Sequence, residues 1–203
     1  VKDFVNCEEL NDDMLKAIKE LQARASGPRK SSRGGWHSPE TPELSSHPAF
    51  KKFSEQLYAS FNEGAPRLGQ VPHTKFVLTN LWAIVSPKGA SNLRHHHHCV
   101  TISGVYYVQV DKSSSPLIFH DPRAAKTFSE ESSNSSEFAH AVAFNAAPGR
   151  LILFPSWLEH SVPENESDTE RVAVSFNFLK LSGPPVPDHV GDNDSLFNAA
   201  TTR

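Results

Sequence analysis

A chain of 203 residues with 37% apolar and 21% charged side chains and a formal charge of -3 has the composition of an ordinary globular protein, long enough to bury a sizeable core. The near-balanced charge argues against a nucleic-acid surface or a polybasic membrane anchor, and no apolar run approaches the ~18–20 residues that cross a bilayer, so neither nucleic acid nor membrane is an expected partner. Two cysteines, Cys7 and Cys99, are too sparse for a disulfide framework and point to free thiols in a reducing compartment, which favours the cytoplasm. Val1 is no initiator, so an earlier piece, whether a tag, a leader or another domain, is expected to have preceded it.

Along the chain, Asn11-Asp12-Asp13 offers an N-cap and an acidic first turn, after which Met14, Leu15, Ile18 and Leu21 recur at helical spacing until Gly27-Pro28. A second helix is expected from Ser45, Ser46 and Pro48. Its apolar stripe is Phe50, Phe53, Leu57, Tyr58 and Phe61, and Gly64-Ala65-Pro66 stops it. Between the two, residues 29–38 follow neither period and read as a loop, whose Trp36 and His37 are candidates for lining a pocket. From residue 74 onward the texture becomes β: segments 75–85, 101–110, 117–120, 139–144, 150–154 and 171–181 are short, rich in Val, Ile, Phe and Tyr, and punctuated by Pro, Gly and Ser. Such a series argues for a sandwich or barrel. Residues 124–137 are too polar to pack and read as a mobile loop. The organisation expected is one domain over 1–203, with a helical part at 1–66, a β core at 67–182 and an irregular tail at 183–203. Asn134, Asn165 and Asn193 match the glycosylation acceptor pattern, which recurs by chance in a Ser-rich chain.

The chemistry-bearing feature is the run His95-His96-His97-His98, which leads into the strand-like segment from Cys99 to Val108. Its internal position excludes a terminal tag. Imidazole binds borderline first-row metals. On an extended backbone His95 and His97 share one face and His96 and His98 the other, so at most one pair faces a given metal. An unbroken strand would put His95 and His97 on the side of Cys99, Ser103 and Tyr107. A ligand from a distant strand would close the site, and His160 follows an apolar run. A solvated His-rich loop or an incidental surface chelator is the alternative at this level. A hairpin turning at Pro148-Gly149 and returning through a strand that opens with Arg171 would bring that arginine to His160. A guanidinium holds a carboxylate in a fork, and Arg171, Ser175 and Asn177 alternate onto one face, so an acid co-substrate would bind there.

At Gly34-Gly-Trp-His-Ser38, Trp82, His95-x-His97, Ser103-Gly-Val-Tyr-Tyr-Val108, Phe119-His-Asp-Pro-Arg123, Leu153-Phe-Pro-Ser-Trp-Leu-Glu-His160 and Arg171 through Ser175-Phe-Asn177, the chain resembles the small iron(II)- and 2-oxoglutarate-dependent oxygenases of microbes and phages. The resemblance covers roughly residues 31–177. It implies a mainly β fold, a double-stranded β-helix (a cupin-like jelly roll) with the N-terminal helices packed on the sheet. It implies His95, His97 and His160 as the metal ligands and catalytic centre, with Fe(II), 2-oxoglutarate and O2 as cofactors. Tyr107 and Arg171 would hold the far carboxylate of 2-oxoglutarate, with Ser175, Asn177 and Asn80 beside it. Asn80 also counts, with Trp82, Arg123 and Trp157, among candidates on the substrate side.

Two positions depart from the pattern. His97 stands where the facial triad has a carboxylate, and Ala173 where an Arg-x-Ser pattern has its serine. Asp121 is the reserve carboxylate, although Asp121-Pro122 also reads as a turn. The implied reaction is hydroxylation of a small molecule or a protein side chain, coupled to decarboxylation of 2-oxoglutarate to succinate, by a monomer or homodimer. The alternatives are a three-histidine cupin-like dioxygenase that needs no 2-oxoglutarate, and a non-catalytic jelly-roll module that binds a metal or another ligand.

Overall fold

The structure, a computed structural model, describes residues 1–28, 30–39, 42–69, 75–123 and 140–181. The expected mobile loop and tail lie outside these residues. Helix α1 (Glu8–Arg24) buries Leu10, Met14, Ala17, Ile18 and Leu21 along one stripe. It starts earlier than the Asn11 cap predicts. Glu8 and Glu9 are the acidic residues at its positive end, and Asn11 is buried inside the first turns. There its Oδ1 accepts a hydrogen bond from Tyr106 Oη at 2.7 Å. After the short α2 (Pro42–Ser46), α3 (Pro48–Gly64) begins where Pro48 predicts, with His47 Nδ1 accepting from the Ala49 N–H at 3.2 Å.

The strands are β1 (Lys2–Asp3), β2 (Ser32–Arg33), β3 (Trp36–His37), β4 (Phe76–Ser86), β5 (Ser91–His95), β6 (Ile102–Gln109), β7 (Leu117–His120), β8 (Ala141–Phe144), β9 (Arg150–Pro155), β10 (His160–Val162) and β11 (Arg171–Lys180). They form a six-stranded sheet in the order β1-β9-β6-β11-β4-β3 and a five-stranded sheet in the order β2-β5-β10-β7-β8. This is the expected jelly roll, with the helices on the outer face of the larger sheet. Residues 29–38 are not merely a loop: β2 and β3 extend one edge of each sheet. The N-terminal part is therefore not wholly helical.

Strand β11, central in the larger sheet, sorts its residues by parity. Val172, Val174, Phe176 and Phe178 pack under the helices with Phe50, Phe53 and Phe61, and the Phe61 and Phe178 rings stack at 4.1 Å. Burying each such phenylalanine contributes roughly 1.5–3 kcal/mol. Arg171, Ala173, Ser175 and Asn177 point the other way, into the sandwich. A one-residue slip would exchange the two sets, so burial of the aromatic face fixes the polar one. Gly104 on β6 belongs to this packing, because a Cβ there would sit 2.3 Å from the Phe176 ring.

The hairpin expected between Pro148 and Arg171 does not form. Strand β6 lies between β9 and β11, and His160 sits on β10 of the smaller sheet. His160 and Arg171 instead approach one cavity from opposite layers. Cys7 is buried, Cys99 is exposed, and both are free thiols. Asn165 is buried and donates to Ser86 O and Thr169 O, so its acceptor pattern is incidental. Among the described residues no helix is long and apolar enough to cross a membrane.

Candidate metal centre and co-substrate pocket

Strand β5 ends at His95, whose register partner on β10 is His160. The run does not continue as a strand. The chain leaves the sheet, the His97 N–H donates to Ser156 O at 2.9 Å, and Cys99 adopts φ 59° to turn into β6. Cys99 therefore faces solvent, whereas Ser103 and Tyr107 are buried because β6 begins afresh. His95 and His97 nevertheless converge with His160, one nitrogen from each lying within 4.8 Å of the others. His96 and His98 pack on one another at 4.2 Å and, although they line the cavity, are not part of the converging group.

In each of the three converging rings Nδ1 is occupied. His95 Nδ1 donates to Leu93 O at 2.6 Å and His160 Nδ1 to Leu158 O at 2.9 Å. A carbonyl can only accept, so the proton sits on Nδ1 and Nε2 keeps its lone pair. His97 Nδ1 lies 2.8 Å from Asn177 Oδ1 and 2.8 Å from Ser103 Oγ. Burial lowers all three pKa values, that of His97 to about 4 and that of His160 to about 3, so the rings are neutral at pH 7. Neutral imidazoles with unprotonated Nε2 atoms suit a borderline divalent metal such as iron(II), and among the described residues the one side chain at such an atom is Ser31, whose Oγ lies 3.4 Å from His95 Nε2, a long contact that a metal would displace.

The histidines open onto a cavity of about 530 Å³, whose wall also includes Arg171, Ser175, Asn177, Asn80 and Trp82. Arg171 is only 2% exposed. Its Nε donates to Ser115 O at 3.3 Å and its guanidinium lies 4.9 Å from the centre of the Tyr107 ring. Among the described residues no carboxylate lies within ion-pair distance of it. Tyr107 stands behind Arg171 rather than on the cavity wall, and its buried hydroxyl has no hydrogen-bond partner among the described residues. Of the two, only the guanidinium is on the cavity wall, a buried positive charge with no acidic partner among the described residues.

Other expected residues divide. His37 lines the cavity and stacks on Trp82 at 5.8 Å, and Trp82 lies 5.6 Å from His97. Trp36 does not line it, and its Nε1 donates to Ala25 O. Arg123 folds back onto Asp121 at 2.7 Å, which engages the reserve carboxylate and keeps both outside the histidine group. Trp157 is 59% exposed on the turn between β9 and β10, off the cavity wall. Asn177, expected beside the co-substrate, has its oxygen engaged by His97 and Ser103. Ser103 served the sequence reading only as a landmark. Its contact depends on the Asn177–Ser103 register between β11 and β6, which no periodicity encodes.

A family model described as "Putative 2OG-Fe(II) oxygenase" matches residues 80–177, a span containing the three histidines and Arg171. Three solved structures show the shared fold. A prolyl-4-hydroxylase from Pseudomonas putida is 18% identical with a TM-score of 0.58, covering 86% of this chain and 88% of that one. A prolyl hydroxylase from Trichoplax adhaerens, in complex with a hypoxia inducible factor oxygen degradation domain peptide fragment, is 14% identical with a TM-score of 0.62, covering 88% and 81%. HygX from Streptomyces hygroscopicus, with nickel and 2-oxoglutarate bound, is 13% identical with a TM-score of 0.55, covering 83% and 78%. No curated protein sequence matches the chain significantly. The matching sequence model thus lies over the same histidines and buried arginine that the fold gathers, and over residues 80–177 the chain is similar to the Fe(II)- and 2-oxoglutarate-dependent oxygenases, enzymes that use Fe(II), 2-oxoglutarate and O2.

Proposed function

We propose that His95, His97 and His160 hold the iron through Nε2, that Arg171 grips the distal carboxylate of 2-oxoglutarate, and that a small molecule or a peptide side chain is hydroxylated in the open part of the cavity. The observation that carries this reading is Arg171, a buried cation without a carboxylate partner among the described residues, on the cavity that the three histidines share. Leaving such a charge uncompensated costs several kcal/mol, a state that makes sense where a ligand anion completes the pair.

Iron(II) and 2-oxoglutarate, when bound, would make O2 the four-electron oxidant, one oxygen atom ending in succinate as carbon dioxide leaves the co-substrate and the other in the hydroxylated substrate. The residues supply geometry and charge. Three neutral imidazoles leave the two positive charges of the metal undiminished, which favours a dianionic co-substrate over a neutral one. Arg171 fixes the far end of that dianion in a fork. Phe154, Leu117, Val162 and Ile84 keep this part of the wall apolar, so both contacts act with little screening. On the other side Asn80 lines the cavity and makes no side-chain hydrogen bond among the described residues, which leaves its amide for a substrate. Two of the structural relatives are prolyl hydroxylases, one of them holding a peptide, which supports an organic substrate at an open mouth.

The test is anaerobic calorimetry of 2-oxoglutarate binding to manganese(II)-loaded protein, beside succinate release in air from the iron form. Wild type should bind and slowly release succinate. Arg171→Ala should lose about thirtyfold to several thousandfold in affinity while keeping its metal. Full metal occupancy with neither binding nor succinate would overturn this reading in favour of a three-histidine dioxygenase that attacks its substrate directly.

A further inference from the structure

We infer that Asn177 and Ser103 are positioning residues for the metal site: Asn177 holds His97 in the tautomer that presents Nε2, and Ser103 supports it by giving its one proton to Asn177 Oδ1. The inference rests on the three-histidine reading and extends it to two residues that would touch neither metal nor substrate through the oxygens used here.

The geometry is a closed triangle. Asn177 Oδ1 accepts from Ser103 Oγ at 2.7 Å and from His97 Nδ1 at 2.8 Å, while His97 Nδ1 and Ser103 Oγ are also 2.8 Å apart. Ser103 is fully buried and Asn177 is 8% exposed, so bulk water does not compete for these atoms. A serine hydroxyl has one proton, and here it is directed to Oδ1. The remaining acceptor capacity at both oxygens then requires a proton on His97 Nδ1. Rotating the Asn177 amide by half a turn would aim N–H groups at the ring instead. The ring proton would move to Nε2 and cap the lone pair that a metal needs. Ser103 cannot decide between these states alone, because a hydroxyl donates or accepts equally well.

His97 needs this arrangement where its two neighbours do not. His95 and His160 direct Nδ1 at backbone carbonyls two residues away, so their tautomers are set by main chain. His97 lies beyond the end of β5, and its Nδ1 contacts are side chains of β6 and β11 in the facing sheet. An amide oxygen orients the ring without adding a negative charge. That choice suits a site in which histidine stands in place of a carboxylate.

The experiment combines long-range ¹H–¹⁵N correlation spectra of the histidine rings in the metal-free protein with cobalt(II) titration by calorimetry, for wild type, Asn177→Leu, Asn177→Asp and Ser103→Ala. Wild type should show the Nδ1–H form of His97. Asn177→Leu, which keeps bulk but loses the acceptor, should shift the ring toward Nε2–H and weaken cobalt binding about 10–100-fold. Asn177→Asp, an acceptor only, should keep the Nδ1–H form and bind cobalt at least as tightly as wild type. Ser103→Ala should fall between wild type and Asn177→Leu. Loss of packing alone would not give opposite outcomes for aspartate and leucine. A wild-type His97 protonated on Nε2, or a folded Asn177→Leu that binds cobalt within twofold of wild type, would overturn the inference. Should Asn177→Leu not fold, the wild-type spectrum and the aspartate variant still decide. Wild type that binds no cobalt at all overturns the three-histidine reading itself, a result distinct from wild type and Asn177→Leu binding equally.

Discussion

Replacing Arg171 with methionine separates what a buried guanidinium does for binding from what it does to the fold. The side chain is 2% exposed, with one hydrogen bond to Ser115 O at 3.3 Å and one aromatic face at 4.9 Å. Desolvating the charge costs several kcal/mol even after relaxation. A charge-assisted hydrogen bond contributes about 1.5–3 kcal/mol against that cost, and a desolvated cation–π contact contributes about 2 kcal/mol. The shortfall is on the order of 1–3 kcal/mol, and an unbranched apolar side chain of similar length removes it. At roughly 2–4 °C per kcal/mol for a chain of this size, ligand-free Arg171→Met should melt about 2–12 °C above wild type. With manganese(II) and 2-oxoglutarate at a hundred times the wild-type dissociation constant, wild type gains about 2.7 kcal/mol and the variant less than about 1 kcal/mol from the co-substrate, so the order narrows or reverses. Scanning calorimetry with and without 2-oxoglutarate reads both effects. A variant that melts well below wild type without ligand, yet keeps the full 2-oxoglutarate shift, would show that Arg171 is a structural residue and that the co-substrate is held elsewhere.

Alanine at His95, His97 or His160 should abolish stoichiometric iron binding measured by metal analysis, whereas His96→Ala and His98→Ala should retain it. Loss of metal in His96→Ala with retention in His95→Ala would invert the assignment. His97 and His160 titrate near about 4 and about 3 when folded, below the ordinary histidine value. The unfolded chain therefore binds more protons below pH 6.5, and stability rises with pH in that window. Acidifying metal-free protein from pH 7 to pH 5 should remove about 1–2 kcal/mol for each ring, read from urea midpoints, and an unchanged midpoint would contradict burial of neutral histidines. Gly104→Ala sets a methyl group 2.3 Å from the Phe176 ring and 2.9 Å from Ile152 O. It should cost about 1–3 kcal/mol in the same assay, and a neutral result would mean the aromatic layer yields more easily than its burial implies.

What could be read from the sequence follows element length. Strand β7 occupies Leu117–His120 as expected and α3 starts at Pro48, because both carry a period or a breaker that local physics enforces. Strands β1, β2, β3 and β10, two or three residues long, have no period to detect. The α1 cap was misplaced because Asn11 resembles a cap by type, while its real work is to accept from Tyr106 on β6. Pairing order was also hidden. Nothing in residues 148–171 reveals that β6 separates β9 from β11, so the hairpin expectation failed even though His160 and Arg171 do share a cavity. The site was legible where chemistry alone selects the residue, as with an arginine in an alternating polar strand face. It was not legible where the register across two sheets selects it, as with Ser103 and Asn177.

The histidine triad also joins the two layers mechanically. His95 and His160 belong to the smaller sheet, while the ring of His97 is anchored through Ser103 and Asn177 to the larger one. A cation shared by all three, as proposed, would act as a rivet through the sandwich at its open end, linking two layers that no disulfide joins. Iron supply and protein lifetime are then coupled. With the rivet withdrawn, the amides of β5 and β10 should exchange faster with solvent and the exposed turn around Cys99 should be cut more readily by protease than in the metal-loaded protein.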